Sequence, residues 1–267
     1  GLCSPAMNSS TPGAPWYIVD GIAPFFRDVT RTRINWSKIP FADLEVDGQP
    51  DPARLARIED EFTRFVDRAA AYGFNAITLD DLAHLVDHPC YADGLRRKIA
   101  AYQAFYARLF ARAAQHGLRV LITTDLMFFN QALDRELGRD PARIRDFLVQ
   151  ALGQFFTRFP TVAGVITRIG ETDGLDVRGS FRSELVIRHP REARRYLRDL
   201  LPVFEAHQRW WIFRTWSVGA YRMGDLIWNA DTLHATFAGV RSERLILSMK
   251  YGESDFFRYL PVNPQLF

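Results

Sequence analysis

The sequence predicts an α/β fold of parallel strands, either a (β/α)8 TIM barrel or an incomplete barrel in which six βα units can be identified. Three observations carry this expectation. Apolar runs alternate with amphipathic helical stretches six times along the chain, and such alternation implies parallel strands joined by crossover helices. The strand runs are continuously apolar, as a sheet covered on both faces requires. Nearly every run ends in a polar, chemically capable residue: Asp20, Asp80 with Asp81, Asp125, Glu171, Arg214 and Lys250. Barrels collect their chemistry at the C-terminal ends of many strands. A doubly wound sheet binding a dinucleotide would show a glycine-rich turn after its first strand. Here that turn reads Asp20-Gly21-Ile22-Ala23-Pro24, with no phosphate-cradling pattern.

The elements follow in order. Residues 1–15 are rich in Ser, Thr, Pro, Gly and Ala and read as a flexible lead-in, with the barrel domain spanning 16–267. Trp16 to Asp20 is the first strand. Residues 52–72 place Leu55, Ile58, Phe62, Phe65, Val66 and Ala69 at helical spacing, closed by Gly73. Phe74 to Leu79 is the second strand, 93–116 a long amphipathic helix closed by Gly117, and Leu118 to Thr123 the third strand. Asp140-Pro141 opens a helix over 141–158, a capping residue followed by proline at the first helical position. Val162 to Thr167 is the fourth strand, followed by a helix near 190–208 and the strand Trp210 to Arg214. A shorter helix near 231–239 precedes the sixth strand, Leu245 to Lys250. A full barrel needs eight strands, so a strand hidden in a loop, a homo-oligomer or a further C-terminal segment is expected to complete it.

Composition excludes several classes. The chain has 267 residues, 48% of them hydrophobic and 24% charged, enough for a sizeable core and unlike a disordered or disulfide-stapled chain. No apolar run approaches the roughly 18 residues of a membrane span. The net charge is +3 at a pI near 9.0. Only three of the 34 basic residues are lysines, Lys38, Lys98 and Lys250. The arginines are spread through helices among acids, so no nucleic-acid surface is expected. Cys3 and Cys90 match neither a disulfide framework nor a metal spacing. The first residues lack the pattern of a leader peptide, which leaves a periplasmic or extracellular compartment open if a leader was removed, and a cytoplasmic one otherwise.

Candidate chemistry gathers after the strands. Glu171 follows the fourth strand through Gly170; burial at a barrel mouth can raise a carboxyl's pKa and make it a general acid, while a salt bridge to Arg168 or Arg178 is the structural alternative. Asp255, with Glu253 as rival, lies past the sixth strand. Two carboxyl groups facing across a pocket are what glycoside hydrolysis uses. Trp216 and Trp228, after the fifth strand, are candidates for stacking on sugar faces. Trp210 and Trp211 are adjacent on a strand and point to opposite faces, so at least one belongs to the core. Phe25, Phe26 and Trp36 offer a second wall. His84 and His88 are four apart, but Pro89 disfavours a helix there and the zinc-site glutamate is missing, so no metal is expected. Neither a Gly-x-Ser-x-Gly elbow nor a phosphate loop occurs.

Three features resemble a known family. Glu171 ends the fourth strand, Phe213-Arg214 ends the fifth, and the sixth runs into Lys250-Tyr251-Gly252-Glu253-Ser254-Asp255-Phe256, then Pro261 and Asn263-Pro264-Gln265-Leu266-Phe267. In these features residues 162–267 resemble the catalytic barrel of α-glucuronidases, glycoside hydrolase family 67. The resemblance implies Glu171 as general acid and Asp255 as a carboxylate assisting water in an inverting hydrolysis. It implies Arg214 and Lys250 as binders of sugar hydroxyls or a carboxylate. Tyr251 stands where the family has asparagine, and the family's second assisting carboxylate belongs to a seventh strand.

The expected activity is therefore glycoside hydrolysis of an oligo- or polysaccharide without a cofactor. Glu171 and Asp255 are the expected catalytic pair, and Arg214, Lys250, Trp216, Trp228, Asp80, Asp125 and Arg168 the expected substrate-binding residues. The alternatives are a metal-dependent lyase or isomerase ligating a divalent ion through Asp80, Asp125 and Glu171, and a non-catalytic glycan-binding barrel.

Overall fold

The computed structural model describes residues 15–26, 38–170, 179–216, 226, 229–253 and 259–267. The lead-in expected over 1–15 thus lies almost wholly outside the described residues. Strand β1 is Ile18–Asp20, and the antiparallel pair β2 (Glu45–Val46) and β3 (Gln49–Pro50) follows it. Helix α1 (Pro52–Ala71) leads to β4 (Ala76–Asp80), and α2 (Asp93–Gln115) to β5 (Arg119–Asp125). After β6 (Phe128–Phe129) come α3 (Gln131–Leu137), α4 (Pro141–Arg158) and β7 (Gly164–Arg168). The chain continues through β8 (Arg182–Ser183), α5 (Pro190–Ala206), β9 (Trp210–Arg214), α6 (Ala230–Phe237) and β10 (Leu245–Ser248).

Six strands form one all-parallel sheet in the order β1-β4-β5-β7-β9-β10. Each strand lies beside its predecessor, with no reversal of direction. Right-handed crossovers that always step the same way put every helix on one face, so the sheet curls into a half-barrel instead of a doubly wound layer. All six strands expected from the sequence are present, with ends shifted by up to two residues. The expectation missed the short pairs β2–β3 and β6–β8 and helix α3, all of which lie in connections.

Local chemistry explains the elements. The Asp51 side chain caps α1 by accepting from the Arg54 N–H, and Pro52 begins it. Asp140 caps α4 through the Ala142 N–H, again with proline next. The Glu192 side chain reaches back to the His189 N–H at the start of α5. Leu55, Ile58, Phe62, Val66 and Ala69 are the buried face of α1, as their spacing dictates. Gly73 and Gly117 turn helix into strand at φ of 87° and 74°, a region that side chains with a Cβ avoid. The Asn75 side chain fastens the start of β1, donating to the Pro15 carbonyl and accepting from the Tyr17 N–H.

The strands alternate between two cores. Ile77, Leu79, Val120, Ile122, Val165, Trp211 and Phe213 face the helices. Ala76, Leu121, Ile166 and Ile212 form a separate cluster on the inner face. Trp211 stacks on Phe204, centroids 5.0 Å apart, and its indole N–H donates to Thr167 Oγ1 at 2.9 Å. Its neighbour Trp210 points the other way and meets Trp16 edge-on at 5.8 Å. The expected division of the two tryptophans is therefore observed. Gly164 of β7 pairs in register with Trp210 of β9; a Cβ there would stand 2.1 Å from the Trp210 carbonyl oxygen. Gly164→Ala is expected to cost about 1–3 kcal/mol or more through forced backbone separation. Urea unfolding measures it; an unchanged midpoint would show that the strands yield freely.

Candidate active site at the C-terminal edge of the half-barrel

Strand parity decides which side chains meet. Ala76 and Leu121 lie on the inner face, so Thr78 and Asp80 on β4, and Thr123 and Asp125 on β5, point the same way. On β7 the inner positions are Gly164, Ile166 and Arg168. Asp125 pairs in register with Arg168, and Ser248 with Arg214. Thr167 pairs with Phe213, so Arg214 follows in the row of Arg168. Parallel strands of a curled sheet thus bring Asp80, Asp125, Arg168 and Arg214 to one edge.

The centre of this edge is a buried ion network. Arg168 Nε donates to Asp125 Oδ1 at 2.9 Å, and Nη2 donates to Asp80 Oδ2 at 3.1 Å. Lys38 Nζ lies 3.4 Å from Asp125 Oδ2, which also accepts from the Ser183 hydroxyl. Asp80, Asp125 and Arg168 are 3%, 7% and 2% exposed, so these charges meet almost without water. The Tyr106 hydroxyl donates to the Asp80 backbone carbonyl.

The two carboxyl groups are driven apart in acidity. Burial lifts Asp80 to about 7; Arg168 opposes the rise, while Asp81 and Asp125 add to it. Burial pulls Asp125 upward too, but Arg168, Lys38 and the Ser183 hydroxyl outweigh it and hold this carboxyl below its usual value. Near neutrality the edge therefore holds a fixed carboxylate beside a carboxyl that exchanges its proton. Environments that separate two acids in this way are the usual arrangement for acid–base work.

A second group lies on the same edge. The Arg214 guanidinium stands 4.9 Å from the Trp216 ring centroid, and Lys250 Nζ stands 5.6 Å from it. Three residues expected to bind substrate are thereby brought together on one aromatic plate. Glu171, Asp255 and Trp228, and with them the separation of the catalytic carboxyl groups, lie outside the described residues. So do Trp36, Arg178 and Phe256.

A cavity of about 50 Å³ opens beside the network, lined by Lys38, Asp80, Asp125 and Arg168 among others. His84 also lines it, its Nδ1 bonded to Asp81 Oδ1 at 2.8 Å. His88 turns elsewhere, to Cys90 Sγ at 2.9 Å, and the short helical turn Ala83–Leu85 ends before it. The two histidines do not share a site. Among the described residues, no three His, Cys, Asp or Glu side chains group as a metal ion would need. Between Asp80 and Asp125 the positive charge is the Arg168 guanidinium.

The sequence reading missed Lys38, Ser183 and Tyr106 as parts of the network. One signal could have found the first. In an arginine-rich chain only three lysines occur, and each sits at a specific contact: Lys38 on Asp125, Lys98 on Glu45 at 2.7 Å, and Lys250 over Trp216.

No protein-family model matches the chain. No curated protein sequence matches it either. Solved structures do. A GH138 enzyme targeting pectin rhamnogalacturonan II superposes with a TM-score of 0.52 at 13% identity, covering 78% of this chain and 24% of that one. A glycoside hydrolase family 5 enzyme from Prevotella bryantii B14 gives 0.48 at 13% identity, covering 80% and 61%. An endoglucanase gives 0.44 at 15% identity, covering 72% and 53%. The chain spans a quarter to three fifths of the length of these structures. The first likeness establishes a shared fold, a curled parallel sheet. Among the described residues, no helix is long and apolar enough to cross a membrane.

Proposed function

We propose that the protein is a glycoside hydrolase that cleaves an oligo- or polysaccharide by an inverting acid–base mechanism. The observation that carries this reading is the strand-end edge itself. It joins a proton-exchanging Asp80, an ionised Asp125 and the cation-bearing Trp216 plate, on a sheet shared with a glycoside hydrolase. In the proposed reaction, Glu171, three residues past Arg168, protonates the glycosidic oxygen. Asp255 takes a proton from the water that attacks the anomeric carbon from the opposite face. The C–O bond to the leaving group breaks as the new one forms, and the free sugar carries the inverted configuration. Arg214, Lys250, Trp216 and Trp228 bind the sugar, and the Asp80–Arg168–Asp125 network supports the wall of the site. The α-glucuronidase resemblance, together with the paired cations Arg214 and Lys250, favours a sugar acid as substrate.

The divalent-metal reading is the weaker one. Asp80 and Asp125 each commit an oxygen to Arg168, and a metal bound between them would have to displace a buried guanidinium.

A panel of aryl glycosides and aryl uronides tests the proposal, with sugar release followed by chromatography and anomeric outcome by proton NMR. Release of the α-anomer from a β-substrate, or the reverse, is the expected result. Retention of configuration would refute inversion, and sugar binding without release would leave a glycan-binding barrel. Asp255→Asn is expected to preserve binding while hydrolysis falls, and Glu253→Gln to matter much less. Parent-like turnover by Asp255→Asn would remove Asp255 from its role as base.

A further inference from the structure

The cavity contains a second polar pair that the proposed chemistry does not use. Asp81 Oδ1 accepts two bonds from His84, one from its backbone N–H at 3.0 Å and one from Nδ1 at 2.8 Å. A carboxylate only accepts, so Nδ1 is the donor in this bond and Nε2 is the ring nitrogen left to meet a ligand. The imidazole lies flat on Phe41, centroids 3.6 Å apart and 8° from parallel. Tyr102 and Phe181 meet it edge-on at 5.6 and 5.2 Å. Aromatic packing and the Asp81 bond together fix the ring's plane and its tautomer.

Among the described residues its remaining nitrogen has no hydrogen-bond partner. His84 is 4% exposed, and its Nε2 is buried. Such a group is costly to leave unmet, which makes it a mark of a ligand position. A Cβ built on Gly179 would stand 4.0 Å from His84 Nε2, with no other heavy atom of the described residues within 4 Å outside its chain neighbours. Gly179 and His84 both line the cavity, whose volume of about 50 Å³ holds a few water-sized groups. That is room for the hydroxyl-bearing edge of one sugar ring, not for a whole chain.

We infer that Asp81 and His84 form a hydroxyl-recognition pair. His84 Nε2 accepts a hydrogen bond from one ring hydroxyl of a sugar seated in this cavity, and Asp81 holds the imidazole in the accepting tautomer. Gly179 leaves the gap through which the hydroxyl approaches. The identity of the ligand as a sugar rests on the glycoside hydrolase reading above; the geometry of the pair does not. His84 is then a specificity residue, and a deoxy sugar lacking the matched hydroxyl binds more weakly because it leaves Nε2 unmet.

Histidine side-chain ¹H–¹⁵N spectra of the full chain, titrated with D-glucuronate, D-glucose and N-acetylglucosamine, test the inference. The expected result is a bare-acceptor Nε2 resonance of His84 that moves when a sugar binds. Gly179→Ala places a methyl against Nε2 at an ordinary contact distance, and is expected to weaken that binding by about tenfold or more with unfolding unchanged. His84→Phe keeps a flat ring on Phe41 and is expected to lose the same binding; should it fail to fold, Gly179→Ala decides. A sugar that quenches tryptophan fluorescence yet leaves Nε2 unmoved, and binds Gly179→Ala as it binds the parent, overturns the inference and spares the glycosidase reading. If none of the three sugars binds the parent chain, both are overturned.

Discussion

Glu171→Gln should cut turnover of substrates with poor leaving groups by about 10² or more, while largely sparing activated aryl glycosides. The asymmetry follows from what a general acid does. An alkoxide leaving group of high basicity departs only as it receives a proton, so removing the donor raises the barrier steeply. A nitrophenolate leaves without help, and the same substitution then changes little. Glutamine retains the shape and most hydrogen bonds of glutamate, so the contrast between substrates isolates the proton. Glu171 follows Arg168 by three residues, and Arg168 lies at the C-terminal edge of the sheet in register with Asp125. Parallel measurements of kcat/KM on a disaccharide and its aryl analogue decide the matter. Equal losses on both would make Glu171 a structural partner, and the acid would then be sought in Asp80, the carboxyl lifted to about 7 on the same edge.

The fold was legible because its signals are local. A parallel sheet covered on both faces needs continuous apolar strands, and Asp-Pro caps and glycine stops punctuate the helices between them. Trp210 and Trp211 could be assigned to opposite faces from strand parity alone. The strand-end residues were legible for the same reason: a strand that ends in Asp80, Asp125 or Arg168 delivers that side chain to the edge. What joins them was not legible. Lys38 lies 42 residues before Asp80 in a connection with no repeating pattern, yet it reaches Asp125. Ser183 arrives through the two-residue strand β8 pairing with β6, too short to leave any periodicity. Pro89 argued against a helix carrying both His84 and His88, and the turn at Ala83–Leu85 is a single tight one; which partner each histidine takes, Asp81 or Cys90, was not legible. Local sequence sets which residues reach the edge; long-range contacts set their charge state.

Arg168→Met should be the most destabilising single substitution at this edge. Methionine fills much of the space but leaves Asp80 and Asp125 facing one another in an almost dry interior, and removing one partner of such a network costs about 3–5 kcal/mol. The loss should depend on pH in a definite sense. In the folded protein Asp80 titrates near 7, above its usual value of 3.8. Between those values the native state holds a proton that the unfolded chain has released, so this group makes stability fall as pH rises, by at most about 1.4 kcal/mol per pH unit. Asp125, held low, acts oppositely and only in the acid range below its usual value, where falling pH removes its contribution. Stability from this pair should therefore be greatest just above pH 3.8 and decline toward neutrality. Without Arg168 the Asp80 carboxyl loses its main opposing cation and rises further. The penalty of Arg168→Met should then be smaller at an acidic pH, where Asp80 is protonated, than on the alkaline side of neutrality, where both carboxyl groups are charged. Asp80→Asn, permanently neutral, should flatten the decline. Urea unfolding followed by tryptophan fluorescence on either side of neutrality reads all three chains. An Arg168→Met protein as stable as its parent at both pH values would show that Asp80 and Asp125 do not depend on this guanidinium.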